Sequence, residues 1–296
     1  MHPRDFQHGG ETWRGPRGLG VRWLGTAGFE LTSPGGTLLI DPYLTRVGLL
    51  RFLSRRRITP DEAAIDRAIG HADAILVGHS HFDHVMDTPH IARRTGAHVY
   101  GSRSATNLML ANGLPETQLT ALDSAERTTF EVGSFKITAV PSEHSRFAIG
   151  SKVPYPGDIP CTCEIDLKGS EYRCGSVFSF LIEYGDFRIY HMGSANLVED
   201  QIPSDAKGAD LFLVCIAARF ATERFVQRAL TAVEPKRVVP MHYDNMFRAA
   251  DKPMWLLPRT AFGRLVDDIQ EVSKDIEVLT LPLSHTKPPL LLESKP

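Results

Sequence analysis

Three imidazoles and one carboxylate fall within six residues in the run Val77-Gly78-His79-Ser80-His81-Phe82-Asp83-His84. Such groups are costly to bury without partners. A divalent cation resolves the cost, because neutral imidazole nitrogen and carboxylate oxygen are among its ordinary ligands. Side chains alternate along extended backbone, so His79 and His81 point to one side and reach a single ion. Asp83 and His84, entering a helix, turn toward a second. The bland alternative is a solvated His-rich turn, but the order of residue types matches a ligand pattern and exceeds mere enrichment in histidine.

Such a cluster needs a rigid edge. Ala74-Ile75-Leu76-Val77 is a short apolar strand of the kind found in a sheet covered on both faces, and a helical stretch is expected from about Val85 to Thr95. Chemistry collects at the carboxyl ends of such strands. Upstream, Val21–Leu24 and Phe29–Leu31 form a strand pair around a glycine turn, and Thr37–Ile40 is a buried strand ending in Asp41-Pro42. Ala64, Ile65, Ala68 and Ile69 mark one face of a helix begun by Pro60-Asp61-Glu62, and Ser102 is placed to cap another that Gly113 ends. The middle is β-rich, with strands at Thr128–Glu131, Phe135–Val140, Val177–Glu183 and Phe187–His191. Leu211–Ile216 and Val238-Val239 are further strands. Helices follow Ala221 and Pro258, the first with Phe225, Val226, Ala229, Leu230 and Val233 on one face. The pattern predicts an α/β fold: two mixed sheets packed face to face with helices outside, in a single domain spanning 1–296 with its core at about 20–285. The Pro-rich tail from Lys287 is expected to fray.

The composition agrees with a folded globular protein. The 296 residues are 42% apolar and 23% charged, which excludes disorder, and the formal net charge of −2 supplies no general field for nucleic acid. No apolar run approaches the ~20 residues of a membrane span, and the first ten residues contain no signal-like apolar region, so the cytoplasm is the expected compartment. Cys161, Cys163, Cys174 and Cys215 lack the spacing of a zinc knuckle and read as reduced thiols. Two segments are candidates for shaping a pocket. One is the long connection 145–175, with Arg146 and Tyr155 as substrate contacts. The other is the basic and apolar run 46–57, read first as a surface helix with solvated arginines and second as a contact for an anionic or amphipathic substrate or a membrane surface.

The run His79-Ser80-His81-Phe82-Asp83-His84 resembles the H-x-H-x-D-H signature of the metallo-β-lactamase superfamily. The stretches Trp23-Leu24-Gly25-Thr26-Ala27-Gly28-Phe29 and Leu39-Ile40-Asp41-Pro42-Tyr43-Leu44 are similar to its L-ascorbate-6-phosphate-lactonase-like branch of metal-dependent hydrolases. The resemblance runs from about Val21 to Leu281. It implies an αββα sandwich, a first metal site of His79, His81 and His144, and a second of Asp83, His84 and His242. It also implies that Asp41 supports the metal loop by accepting an imidazole N–H. Two positions depart from the family. Thr26 stands where a histidine is usual, and Ser194, in Met192-Gly193-Ser194-Ala195-Asn196, stands where a bridging aspartate is usual.

With Ser194 neutral, the resemblance implies two zinc ions joined by hydroxide alone, the second more easily lost; manganese or iron would suit the same donors. A zinc-bound water has a pKa near 7 and attacks an electrophilic carbonyl or phosphorus. Asp83 is the expected proton acceptor, and Tyr243 is a candidate donor to an oxyanion or else a core aromatic. Three functions stay open: a hydrolase of a small ester, lactone or amide; a phosphodiesterase acting on a lipid or nucleotide; and a metal-binding protein without hydrolytic activity. The expected partner is a small molecule, anionic or amphipathic, and an oligomer is left open.

Overall fold

The computed structural model describes residues 1–146 and 152–284. The expected fraying from Lys287 lies outside these residues, as does part of the 145–175 connection. Two seven-stranded sheets form the centre. The first runs in spatial order through β1 (Thr12–Arg14), β2 (Gly20–Gly25), β3 (Gly28–Ser33), β4 (Gly36–Ile40), β5 (Ala74–Leu76), β6 (His98–Gly101) and β7 (Leu119–Ala121). Its pairings are antiparallel as far as β4 and parallel beyond. Helices α1 (Leu49–Leu53), α2 (Glu62–Ala68), α3 (Phe82–Val85), α4 (Thr88–Thr95) and α5 (Arg103–Ala111) supply the connections after β4.

The second sheet repeats this plan. It contains β8 (Thr128–Val132), β9 (Phe135–Ser142), β10 (Val177–Tyr184), β11 (Phe187–Met192), β12 (Leu211–Cys215), β13 (Arg237–Met241) and β14 (Glu277–Val278) as neighbours in sequence order, antiparallel as far as β11 and parallel after it. Helices α6 (Phe225–Val233) and α7 (Phe262–Val272) belong to this half. The two halves share a strand plan although no sequence repeat connects them.

Strand alternation explains the layers. Leu38, Ile40, Ala74 and Leu76 join the large core between the sheets, whereas Leu39, Ile75 and Val77 join a second core with Ile65, Ile91 and Leu108 of the helices. On the far side, Phe225, Val226, Ala229 and Leu230 of α6 and Leu265 and Ile269 of α7 pack over Phe212, Val214 and Val238. This is the face-to-face α/β sandwich read from the sequence. The predicted cap also forms, Ser102 accepting from the Ala105 N–H, and at the start of α2 Asp61 accepts from the Ala64 N–H. The expected helix at 85–95 is two short helices, α3 and α4, separated by Met86 and Asp87.

Candidate metal centre

The loop after β5 is held from both sheets before any ligand is considered. The Gly78 N–H donates to Asp41 Oδ1 at 2.6 Å, and the Gly78 carbonyl accepts from the Phe178 N–H at 2.7 Å. A Cβ at residue 78 would lie 2.9 Å from Asp41 Oδ2 and 3.2 Å from the Phe178 carbonyl, so the close approach requires glycine. The Ser80 N–H donates to the Cys174 carbonyl at 2.9 Å. His81 then takes the N-cap position of α3, which turns Asp83 and His84 back toward the loop.

The six expected ligands come together. His79, His81 and His144 offer nitrogens within 4.8 Å of one another, and so do the ligand atoms of Asp83, His84 and His242. In the first triad the ring centroids are 4.7–4.8 Å apart, with the rings nearly perpendicular. The triads adjoin: the His79 and His84 ring centroids are 3.8 Å apart. Asp83 Oδ2 lies 3.1 Å from His242 Nε2 and 3.8 Å from His84 Nε2.

Oxygen acceptors fix three tautomers. His84 Nδ1–H donates to Asp41 Oδ2 at 2.8 Å, His81 Nε2–H to the Pro154 carbonyl at 2.9 Å, and His144 Nδ1–H to the Ser145 carbonyl at 2.6 Å. Each bond leaves the other ring nitrogen with its lone pair free for a ligand. Both nitrogens of His79 and Nδ1 of His242 are buried without a hydrogen-bond partner. Unpaired buried nitrogens beside a carboxylate fit divalent metal ions, with three protein ligands at each position.

The electrostatics favour neutral rings at His79, His81 and His144. Burial pushes His79 well below its ordinary pKa, with the surrounding imidazoles adding to the effect. Burial lowers His81 to about 4 against the opposing pull of Asp83, and lowers His144 to about 3 with help from His81. These rings are neutral and metal-competent near pH 7. Burial alone would raise Asp83, but His84 and the His242 hydrogen bond outweigh it and hold the carboxyl well below its usual range. Burial opposes charge on His84 as well, yet Asp41 and Asp83 raise its pKa.

The remaining expected residues divide. Ser194 is buried, and its hydroxyl accepts from the Ser145 N–H at 3.0 Å, so it anchors the turn beside His144. Arg146 is exposed next to that turn. Tyr155 follows the Pro154 carbonyl, and its ring lies 6.2 Å from that of Phe52. Tyr243 is buried, its ring packing against Trp23 and Phe262 at 4.9 and 5.9 Å, as the core-aromatic alternative expects. The cysteines are unbridged thiols, Cys161 exposed and Cys215 buried, and among the described residues they belong to no metal-competent group.

Two contributors escape a reading of the sequence. The Pro154 carbonyl does because any residue offers one. The other is Asp244, which accepts from the Thr26 N–H at 2.9 Å and from Arg46 at 2.5 Å in a buried ion pair. The Thr26 carbonyl in turn accepts from the His242 N–H at 2.9 Å. The backbone at Thr26, where the family usually has histidine, therefore ties His242 to the first sheet. Asp244 could have been suspected from its place two residues beyond a ligand, but Arg46 is 198 positions away.

A model of the β-lactamase superfamily domain matches residues 37–243. A protein of Anaeromyxobacter sp. (strain K) named a metal-dependent hydrolase is 30% identical over 79% of this chain and 77% of its own length. A metallo hydrolase of the archaeon Ignicoccus hospitalis shares the fold with a TM-score of 0.55 and 18% identity, covering 90% of this chain and 97% of that one. The diiron β-hydroxylase CmlA of Streptomyces venezuelae also shares it, with a TM-score of 0.54 and 18% identity over 90% of this chain and 54% of its own.

Proposed function

From its membership of the metallo-β-lactamase superfamily, to which this chain belongs as a metal-dependent hydrolase, we propose that it uses two zinc ions to hydrolyse a small ester, lactone or amide in the cytoplasm. The observation that carries this reading is the pair of adjoining triads with buried, unpartnered nitrogens. His79, His81 and His144 would hold one ion; Asp83, His84 and His242 would hold the other. Bound zinc supplies Lewis acidity toward a substrate oxygen and lowers the pKa of water toward ~7.

The protein's own groups do the rest. Asp83, ionised and part of the second triad, accepts the proton released by attacking water. Asp41 and the Pro154 carbonyl keep His84 and His81 in their ligand tautomers. Ser194 fixes the turn that carries His144 and brings no second carboxylate between the triads. Arg146 and Tyr155, at the exposed edge, are the proposed substrate contacts, Arg146 for an anionic group and Tyr155 for an apolar one. A second reading, a phosphodiesterase for a lipid, is favoured by the exposed leucines of α1 and the arginines at 51 and 55–57, in a segment whose Phe52 ring neighbours Tyr155. Turnover of generic lactone, ester, amide and bis-nitrophenyl phosphate substrates by zinc-loaded protein separates the two. We expect carboxyl-ester or lactone turnover to exceed phosphodiester turnover and to vanish in His81→Ala. A metal-replete protein inert toward all of them would remove the hydrolytic assignment.

A further inference from the structure

The run 48–57 is built like a docking surface. Leu50 is 86% exposed and Leu53 61%, and Leu49 is also open to solvent. Three large aliphatic side chains on a five-residue helix gain nothing from water. Around them stand Arg51, Arg55, Arg56 and Arg57, all exposed. Arg57 is committed, pairing with Glu164 and donating to the Asp166 carbonyl at 2.6 Å, and Arg51 donates to the Arg57 carbonyl. Arg55 and Arg56 form no ion pair among the described residues.

The segment is anchored and not a loose flap. Phe52 points inward, its ring 4.6 Å from that of Phe82 and 5.4 Å from that of Phe247. A Cβ at Gly169 would lie 2.3 Å from the Phe52 ring, so that glycine makes room for the aromatic. The Ile58 N–H donates to the Leu167 carbonyl at 2.9 Å. With Phe52 fixed, the leucines are held outward. Beyond Phe247, the Arg248 guanidinium stacks 3.9 Å from the ring centroid of Trp255, which is 60% exposed.

Fixed aliphatic side chains, an exposed tryptophan and arginines without acidic partners form the chemistry of a lipid–water interface. Leucines enter the acyl boundary, tryptophan sits at headgroup level, and guanidinium groups meet anionic headgroups. A protein partner would be matched by the leucines as well, but the unpaired Arg55 and Arg56 call for a dense anionic plane. We propose that residues 48–57, with Arg248 and Trp255, dock this protein on an anionic phospholipid bilayer. The site is coupled to the metal centre by contact: Phe52 packs on Tyr155, and the preceding Pro154 carbonyl holds His81. Docking would therefore bring the triads to the surface of the bilayer.

Co-sedimentation with vesicles tests this, using phosphatidylglycerol and phosphatidylcholine in equal parts against phosphatidylcholine alone. We expect binding to the anionic vesicles only, weakened by salt. Leu50→Glu with Leu53→Glu should lower binding at least about tenfold, and Arg55→Glu or Arg56→Glu about fivefold or more each. Turnover of a soluble substrate should be unchanged in all of them. His81→Ala should bind vesicles like the wild type, so a failure of the metal assignment leaves this result standing. Equal binding to both vesicle types, or no loss in the leucine variant, would overturn the proposal. So would absence of vesicle binding together with a dimer that the leucine variant splits, which would assign the patch to a second copy of this chain.

Discussion

Asp41 uses both carboxylate oxygens at one strand end: Oδ1 accepts from the Gly78 N–H and Oδ2 from His84 Nδ1–H. Its φ of +42° is one that L-residues rarely adopt, so the strand end is bent to make these bonds. Asp41→Asn keeps the shape but offers only one acceptor oxygen, and its amide would face either a backbone N–H or an imidazole N–H. Affinity for the second metal ion should fall about 10–100-fold, measured by competition with a chromophoric chelator, while the far-ultraviolet circular dichroism stays unchanged. Undiminished affinity would mean that packing alone orients His84. Residue types were the most legible level of the sequence: His79, His81, Asp83 and His84 advertise ligands by their spacing. Tyr243 shows the limit. Its place beside His242 suggested a role at the site, but neighbouring side chains diverge, and its ring turned into the core against Trp23 and Phe262.

At the scale of elements, the loop between β5 and α3 and the turn after β9 hold imidazoles neutral. His81 and His144 have folded pKa values depressed to about 4 and about 3, from an ordinary 6.5. Below pH 6.5 the unfolded chain takes up protons that the folded chain refuses. Their contribution to stability is therefore present above the unfolded pKa and lost as pH falls toward the folded values. Asp87 acts oppositely: burial raises it to about 6, so its contribution is present below the unfolded carboxyl pKa and lost as pH rises through about 6. His79 and His191 are lowered as well, so the lowered imidazoles outnumber this carboxyl and metal-free protein should lose stability between pH 7 and pH 4.5. Urea unfolding at the two pH values measures this, and equal stabilities would contradict the neutral-imidazole description. The strands were legible because apolar runs between glycine turns have few other uses, and the cap at Ser102 because its side chain acts locally. The break between α3 and α4 was not, since the periodicity passes through Met86 and Asp87 unbroken. The contact of His81 with the Pro154 carbonyl was hidden too, because a backbone acceptor leaves no mark on residue identity.

Across the whole molecule, the centre is a junction between halves. His79, His81, Asp83 and His84 follow the first sheet, while His144 follows β9 and His242 follows β13 of the second. The buried Arg46–Asp244 pair and the Thr26–His242 bond cross the same junction. An ion in either triad would cross-link the two sheets and add its binding free energy to the stability of the folded state. The layered architecture could be read from the order of strands and helices; the matching strand plan of the two halves could not, because burial pattern is shared where residue identity is not. Metal content per chain, measured by elemental analysis after loading with zinc and removing the excess, bears on the central claim most directly. The wild type should hold about two ions, and His81→Ala and His84→Ala about one each, at opposite triads. Zinc content equal to the wild type in both variants, or a wild type that holds none, would contradict the assignment of these residues as ligands.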